Sequence, residues 1–170
     1  MLRAAAVMSI ALSVSFAGCL YSKRLEMRVR KLEKILLLLS QIRTAIEFTA
    51  DSVEGILSSL GDTCDLSLLP FVELCRLKMT DGADFFSAWS EALTARENVS
   101  QLRKEDVSLL LSFGAALGAT DSAGQMRNCE MHERLFKERL SAAVADKKTL
   151  SKPVRVVGFL AGAAVMIILV

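Results

Sequence analysis

The chain has 170 residues, 52% of them hydrophobic, with few of the residues that favour strands and turns. Two Pro, nine Gly, one Tyr and one Trp argue against β-sandwiches and barrels and favour an all-α fold. The 21 basic and 19 acidic residues leave a net charge of only +2. No overall field would therefore attract nucleic acid, and we expect no nucleic-acid partner.

The first predicted element is an uncharged stretch from Ala4 to Tyr21. As a helix it would span roughly 27 Å, close to the hydrocarbon core of a bilayer. We therefore predict an N-terminal transmembrane helix within residues 1–22. Phe16-Ala17-Gly18-Cys19 also resembles a lipoprotein cleavage box, which leaves a lipid on Cys19 as an alternative. A signal peptide would need a more basic start than Arg3 alone, so the retained helix is favoured.

A long amphipathic helix is predicted next, with apolar residues at steps of four and three: Leu25, Val29, Leu32, Leu36 and Leu39, drifting to Ile42 and Ile46. Its start carries a basic run: Lys23, Arg24, Arg28, Arg30, Lys31 and Lys34. The run is first a topology signal, and it is also our candidate surface for contact with anionic lipid or an acidic partner. Because Arg28, Arg30 and Lys31 lie mostly off the apolar stripe, we expect them to face outward.

Two short helices are predicted in the next stretch. Asp51-Ser52-Val53-Glu54 has the spacing of a capping box, so a second helix should begin there and end at Gly61. Ser67 and Pro70 should begin a third helix, which the Thr80-Asp81-Gly82 break ends.

Three further helices complete the predicted bundle, which covers residues 23–152. The fourth should bury Phe85, Ala88, Trp89 and Leu93. The fifth, within 102–118, should bury Val107, Leu110, Leu111 and Leu117 and stop at a left-handed Gly118. The sixth should begin at Asp121 or Ser122, with Gln125 in its first turn, and reach about Lys148. We therefore predict about six helices, flanked by a membrane helix at each end.

The C-terminal stretch from Val156 to Val170 is wholly apolar. As a helix it would cover about 22 Å, and thinning of the bilayer with snorkelling of Arg155 can absorb the mismatch. We predict a second transmembrane helix within residues 153–170, with a buried core helix as the alternative. Basic residues flank the inner end of each apolar stretch, which predicts a cytoplasmic bundle in the cell membrane.

The cysteines are scattered and form no C-x-x-C pair: Cys19, Cys64, Cys75 and Cys129. This pattern favours a reducing, cytoplasmic setting. His132, the only histidine, follows Cys129 by three residues, a spacing that suits a metal. Two ligands do not make a site, so we expect no metal and no cofactor.

No pattern in the sequence points to catalysis. Glu130 and Glu133 precede Arg134 and Lys137 by four residues, as in exposed helical ion pairs. The chain contains no Gly-rich loop with the Lys and Ser or Thr that bind phosphate. We therefore expect a protein that is not an enzyme.

Two blocks of sequence carry a family resemblance. One runs from Asp81 through Trp89 to Leu93, and the other runs from Leu111 to Gln125 and includes Phe113, Gly114, Leu117, Gly118 and Asp121. With the basic helix near the start and the apolar tail, they make the chain resemble the stage III sporulation protein AB family of endospore-forming bacteria. Residues 48–70 match this pattern weakly.

The resemblance implies a helical domain similar to that of type II secretion platform proteins, which couple a cytoplasmic motor ATPase to a membrane complex. The implied partners are the sporulation ATPase of the same operon and the other subunits of the channel between mother cell and forespore. The implied location is the mother-cell membrane around the forespore. Self-association into a homo-oligomer is left open.

We therefore expect a membrane-anchored adaptor of a secretion-like sporulation apparatus. The alternative, from a different class, is a small membrane sensor or accessory protein whose helical bundle binds a ligand.

Overall fold

A computed structural model describes the backbone of residues 2–48, 53–63, 67–95, 97–117 and 119–169. Most side chains before Gly18, and all of those in 60–66 and 151–170, lie outside the described part. The helices are α1 (Leu2–Phe48), α2 (Val53–Thr63), α3 (Pro70–Thr80), α4 (Phe85–Thr94), α5 (Lys104–Ala116) and α6 (Ser122–Leu169). The described part of the chain contains six helices and no strand, which confirms the predicted all-α class.

The helices form two compact units. Residues 30–140 make up one unit, and residues 1–29 with 141–170 make up the other. We predicted about six helices between two separate membrane helices. Instead, α1 and α6 each include a terminal apolar stretch, so six is the total over the described residues.

Among the residues open to this test, no helix is long and apolar enough to cross a membrane. The predicted membrane segments, 4–21 and 156–170, fall largely or wholly among side chains outside the described part.

The unit of residues 30–140 has a core of large apolar side chains contributed by all six helices. Fully or almost fully buried are Leu32, Ile35, Leu38, Leu39, Ile42, Ile56, Leu57, Phe71, Val72, Trp89, Leu93, Leu110, Phe113 and Phe136. Leu36, which we placed on the inner stripe of α1, is only half-buried, and Ile35 and Leu38 are buried instead. The inner face of α1 is therefore wider than a stripe of one residue per turn.

Helix α4 follows the predicted pattern closely. Asp84 is its N-cap, because the carboxylate accepts a hydrogen bond of 3.0 Å from the Ser87 backbone N–H. Phe85, Ala88 and Trp89 are buried, and so is Leu93, which confirms all four predicted core positions.

Helix α3 begins at Pro70 and ends at Thr80, as predicted. Its N-cap is Leu69 and makes no side-chain cap, so Ser67 does not open it. Gly82 has φ +94° in the turn that follows, a backbone conformation that residues with a Cβ rarely adopt.

Two predicted boundaries differ from the structure. Helix α2 continues past Gly61 to Thr63, and its predicted capping residues, 51 and 52, lie outside the described residues. Helix α5 ends at Ala116, one residue before buried Leu117. Gly118, the predicted left-handed stop, also lies outside the described residues.

Candidate functional site

The residues of the two family-like blocks meet at Trp89. Its indole Nε1–H donates a buried hydrogen bond of 2.8 Å to the Leu110 carbonyl. The rings of Phe71, Phe85 and Phe113 surround it, with centroids 5.4, 5.6 and 6.3 Å away. These blocks therefore build the core where α3, α4 and α5 meet.

Gly114 allows the indole of Trp89 to approach α5 closely. A Cβ added at Gly114 would lie 2.6 Å from Trp89 Nε1 and closer still to Cδ1. Real Cβ atoms do not make contacts that short, and the indole is held by its hydrogen bond, so it has little freedom to move. The role of Gly114 is explained by packing.

Asp121 and Gln125 define the start of α6. The Asp121 carboxylate accepts from the Gly124 backbone N–H at 2.9 Å, and the Gln125 side-chain amide donates to the Thr120 carbonyl at 3.0 Å. Asp121 therefore caps α6, as predicted, whereas Gln125 bonds to Thr120 and not to Ser122, three residues before it, with which its spacing had suggested a capping box.

The side chains of the basic run of α1 differ in their exposure to solvent. Lys23, Arg24 and Arg30 are exposed, and Lys34 is half-buried. Arg28 and Lys31 are buried, with 4% and 5% of their surface exposed. The prediction that Arg28 and Lys31 face outward is therefore wrong, because the buried face of α1 is wide enough to cover the stems of long basic side chains.

Lys31 holds the turn between α4 and α5. Its Nζ donates a hydrogen bond of 2.7 Å to the Ser100 carbonyl, 69 positions along the chain. Burial lowers the pKa of the Lys31 amine. Gln101 follows at φ +71°, so a hydrogen bond from α1 steadies a strained turn.

Arg28 belongs to the unit of residues 1–29 and 141–170. Its guanidinium lies 3.7 Å from the Asp146 carboxylate, and Lys147 lies 3.8 Å from Glu26. Both pairs join the two helical segments of that unit, so Arg28 has a structural partner within its own unit.

A polar cluster that the sequence did not predict lies between α5 and α6. His132 is buried, and its Nδ1–H donates to the Asn128 carbonyl at 3.0 Å. A carbonyl only accepts, so in the neutral ring Nε2 is the acceptor, and it lies 3.0 Å from the Ser112 hydroxyl. Burial lowers the pKa of His132. The spacing of Asn128 and His132, four apart, was the one signal available in the sequence.

Cys75, Cys129 and Glu133 are buried, and their environments indicate structural roles. Burial raises the pKa of Cys75 to about 12 and that of Cys129 to about 11, so both thiols stay protonated at neutral pH. Among the described residues, no group of three His, Cys, Asp or Glu side chains could hold a metal.

Glu133 was predicted to pair with Lys137 on an exposed face. Instead it is buried, and it lies 3.2 Å from Arg43 Nε.

An open groove crosses the surface where α2, α4 and α5 approach one another. It has a volume of about 390 Å³ and is lined by Val53, Asp84, Phe86, Ala115, Leu117 and Ala119, among others. Phe86 is 47% exposed although its neighbour Phe85 is buried. Sequence periodicity placed the inner face of α4 and gave no reason for a large aromatic on its outer face.

Comparison with known families gives one result. The model of the family described as stage III sporulation protein AB matches residues 3–170, including the weakly matching stretch 48–70. Comparisons with curated proteins and with solved structures gave no significant match. Since this match covers nearly the whole chain, the chain belongs to the stage III sporulation protein AB family and is a sporulation-related protein.

Proposed function

We propose that the protein is a non-enzymatic, membrane-anchored adaptor that docks a cytoplasmic motor ATPase to a secretion-like sporulation channel. The observation that carries the proposal is the family match over residues 3–170. The partners proposed from this family are the ATPase of the same operon and the other channel subunits, at the mother-cell membrane around the forespore.

Side chains at the end of the first apolar stretch, 4–21, support the proposal that this stretch anchors the protein in a membrane. Phe16, Leu20 and Tyr21 are large and exposed, and Phe16 has 65% of its surface free. Exposed Lys23 and Arg24 follow directly. Exposed apolar and aromatic side chains next to basic ones are typical of a helix leaving a bilayer on its cytoplasmic side. We therefore propose residues 4–21 and 156–170 as the anchors.

The exposed part of the basic run is the proposed contact surface. With Arg28 and Lys31 buried, its exposed members are Lys23 and Arg24 in the unit of residues 1–29 and 141–170, and Arg30 in the unit of residues 30–140. Exposed basic side chains attract acidic protein surfaces and anionic lipid, and both attractions weaken as salt shortens the Debye length.

The test is to reverse Lys23, Arg24 and Arg30 to Glu in the full chain and to measure recovery of the ATPase with it from membranes of sporulating cells. In a variant that is folded and correctly inserted, we expect recovery to fall and to become less sensitive to salt. The matched control reverses three exposed lysines outside the run, Lys104, Lys137 and Lys148, and should leave recovery unchanged. Failure of the unaltered protein to bring down the ATPase at low salt would contradict the proposal.

A further inference from the structure

Ser112 on α5 and His132 on α6 form a hydroxyl–imidazole pair. The Ser112 oxygen lies 3.0 Å from His132 Nε2, and His132 Nδ1 lies 3.0 Å from the Asn128 carbonyl. Because that carbonyl holds the ring proton on Nδ1, Nε2 presents its lone pair to the hydroxyl. A serine hydroxyl, an imidazole and an acceptor that orients the imidazole are the parts of an activated serine nucleophile.

The Ser112 hydroxyl has a second acceptor within reach. Its oxygen also lies 2.9 Å from the Leu109 carbonyl, one turn earlier on α5. A hydroxyl has one proton to donate, so the two acceptors compete for it. The Leu109 carbonyl lies inside a helix and already accepts a backbone N–H, whereas Nε2 belongs to a buried ring. A buried acceptor without a donor is destabilising, so the proton is directed to Nε2.

The two partners have the exposure that a nucleophile and its base require. Ser112 is exposed, and His132 is buried with 2% of its surface free. Burial lowers the pKa of His132, the hydrogen bond with Asn128 opposes this shift, and no charged side chain is among its causes. The next residue, Glu133, pairs with Arg43. The imidazole is therefore mostly neutral at neutral pH and able to accept a proton.

We propose that Ser112 is a reactive serine that takes an acyl group from activated esters, with His132 as its general base. Ser112 Oγ bonds to the ester carbonyl carbon while its proton passes to His132 Nε2. The bond from that carbon to the leaving oxygen then breaks, and the leaving group keeps the electron pair and takes the proton from the imidazolium. The products are O-acyl-Ser112, neutral His132 and the alcohol released from the ester.

The acyl group should remain on Ser112. This serine lies inside α5, where each backbone N–H is bonded to the carbonyl one turn earlier. The described part of that helix therefore offers no free N–H at Ser112 to stabilise the oxyanion formed during hydrolysis. An activated ester reacts without such help because its leaving group departs readily, whereas an ester of serine does not. Ser112 is thus a modification site without turnover, and the inference does not depend on the proposed adaptor role.

The experiment treats the purified full-length chain in detergent with p-nitrophenyl acetate near neutral pH and locates the acetyl groups by mass spectrometry. Ser108 is a matched control in the same molecule, because it is exposed on α5 one turn before Ser112, and the one histidine of the chain contacts Ser112. Trypsin releases both serines in one peptide, residues 105–127, so they are detected together. A positioned general base typically accelerates a reaction by about 10²–10⁴-fold, and we expect Ser112 to be acetylated at least about tenfold faster than Ser108.

Two further measurements test the role of His132 as the base. His132→Gln keeps a polar side chain that cannot take the proton, so it should lower the acetylation rate of Ser112 to that of Ser108 and leave Ser108 unchanged. In the unaltered protein, the Ser112 rate should be level just above pH 6.5 and should fall as the pH drops through the folded pKa of His132, which is lowered from 6.5. The Ser108 rate should rise with pH throughout, because hydroxide generates its alkoxide.

Equal acetylation of the two serines in the unaltered protein would overturn the proposal. So would a Ser112 rate that stays the same in a folded His132→Gln variant. If circular dichroism shows that His132→Gln is unfolded, the pH profile of the unaltered protein decides. A Ser112 rate that rises with pH in parallel with that of Ser108 overturns the proposal, and a rate that levels off above pH 6.5 supports it.

Discussion

Trp89 and Gly114 form an interlocked pair. The indole donates to the Leu110 carbonyl on the turn of α5 before Gly114, and it occupies the space that a Cβ at Gly114 would need. Trp89 therefore fixes the distance between α4 and α5, and Gly114 leaves the space that this distance requires.

The pair predicts a strong energetic coupling. Trp89→Ala should lower the free energy of unfolding by about 3–5 kcal/mol, because it empties a large part of the core. Gly114→Ala should lower it by about 1–3 kcal/mol, because the added methyl overlaps the indole. In the Trp89→Ala background the same Gly114→Ala change should be neutral or stabilising, since alanine favours a helix by up to about 1 kcal/mol. Denaturant unfolding of the full chain in detergent, followed by circular dichroism, measures the cycle. Additive effects would contradict the interlock.

Lys31 should contribute more to stability than an exposed lysine does. Lys31→Met keeps the apolar stem and removes the hydrogen bond to the Ser100 carbonyl, so we expect a loss of about 1–3 kcal/mol. Lys137→Met is the matched control at an exposed lysine and should change stability little. Equal losses of stability from the two substitutions in thermal unfolding would show that the Lys31 hydrogen bond does not contribute to stability.

His132 should make stability depend on pH. Its folded pKa is lowered below the ordinary value of 6.5, so the unfolded chain binds the proton more readily. The free energy of unfolding should therefore rise with pH from the folded pKa up to about 6.5 and be level above it, as far as this group contributes. His132→Gln should flatten this part of the profile. The fluorescence of Trp89, the one tryptophan, reports unfolding at each pH. An unchanged profile in His132→Gln would contradict the assignment.

The orientation proposed for the protein can be tested with an introduced thiol. Cys75 and Cys129 are unsuitable reporters, because burial protects them on either side of a membrane. Ser108→Cys on α5, introduced together with Cys19→Ser and Cys64→Ser, is exposed and replaces a small polar side chain. A membrane-impermeant maleimide should leave this thiol unlabelled in intact cells and label it once the membrane is opened. Labelling of intact cells would reverse the orientation, and acylation lost in Cys19→Ala would favour the lipoprotein alternative.

The sequence predicted the elements whose signal is local. The apolar spacing of α4, the turn after Thr80 and the start of α6 at Asp121 all depend on neighbours within a few residues, and all three are confirmed. The burial of Lys31 depends on a partner 69 positions away, and periodicity carries no such information. The groove depends on three separate stretches meeting, so the exposed Phe86 had no interpretation before the fold was known.

The most direct test of the adaptor account is binding of the purified ATPase to vesicles that carry the full-length chain. Vesicles of the same lipid without the chain are the control. The account predicts that the ATPase sediments with the chain-bearing vesicles at low salt, and less so when Lys23, Arg24 and Arg30 are reversed to Glu. Equal sedimentation with empty vesicles, or no binding to either, would contradict it.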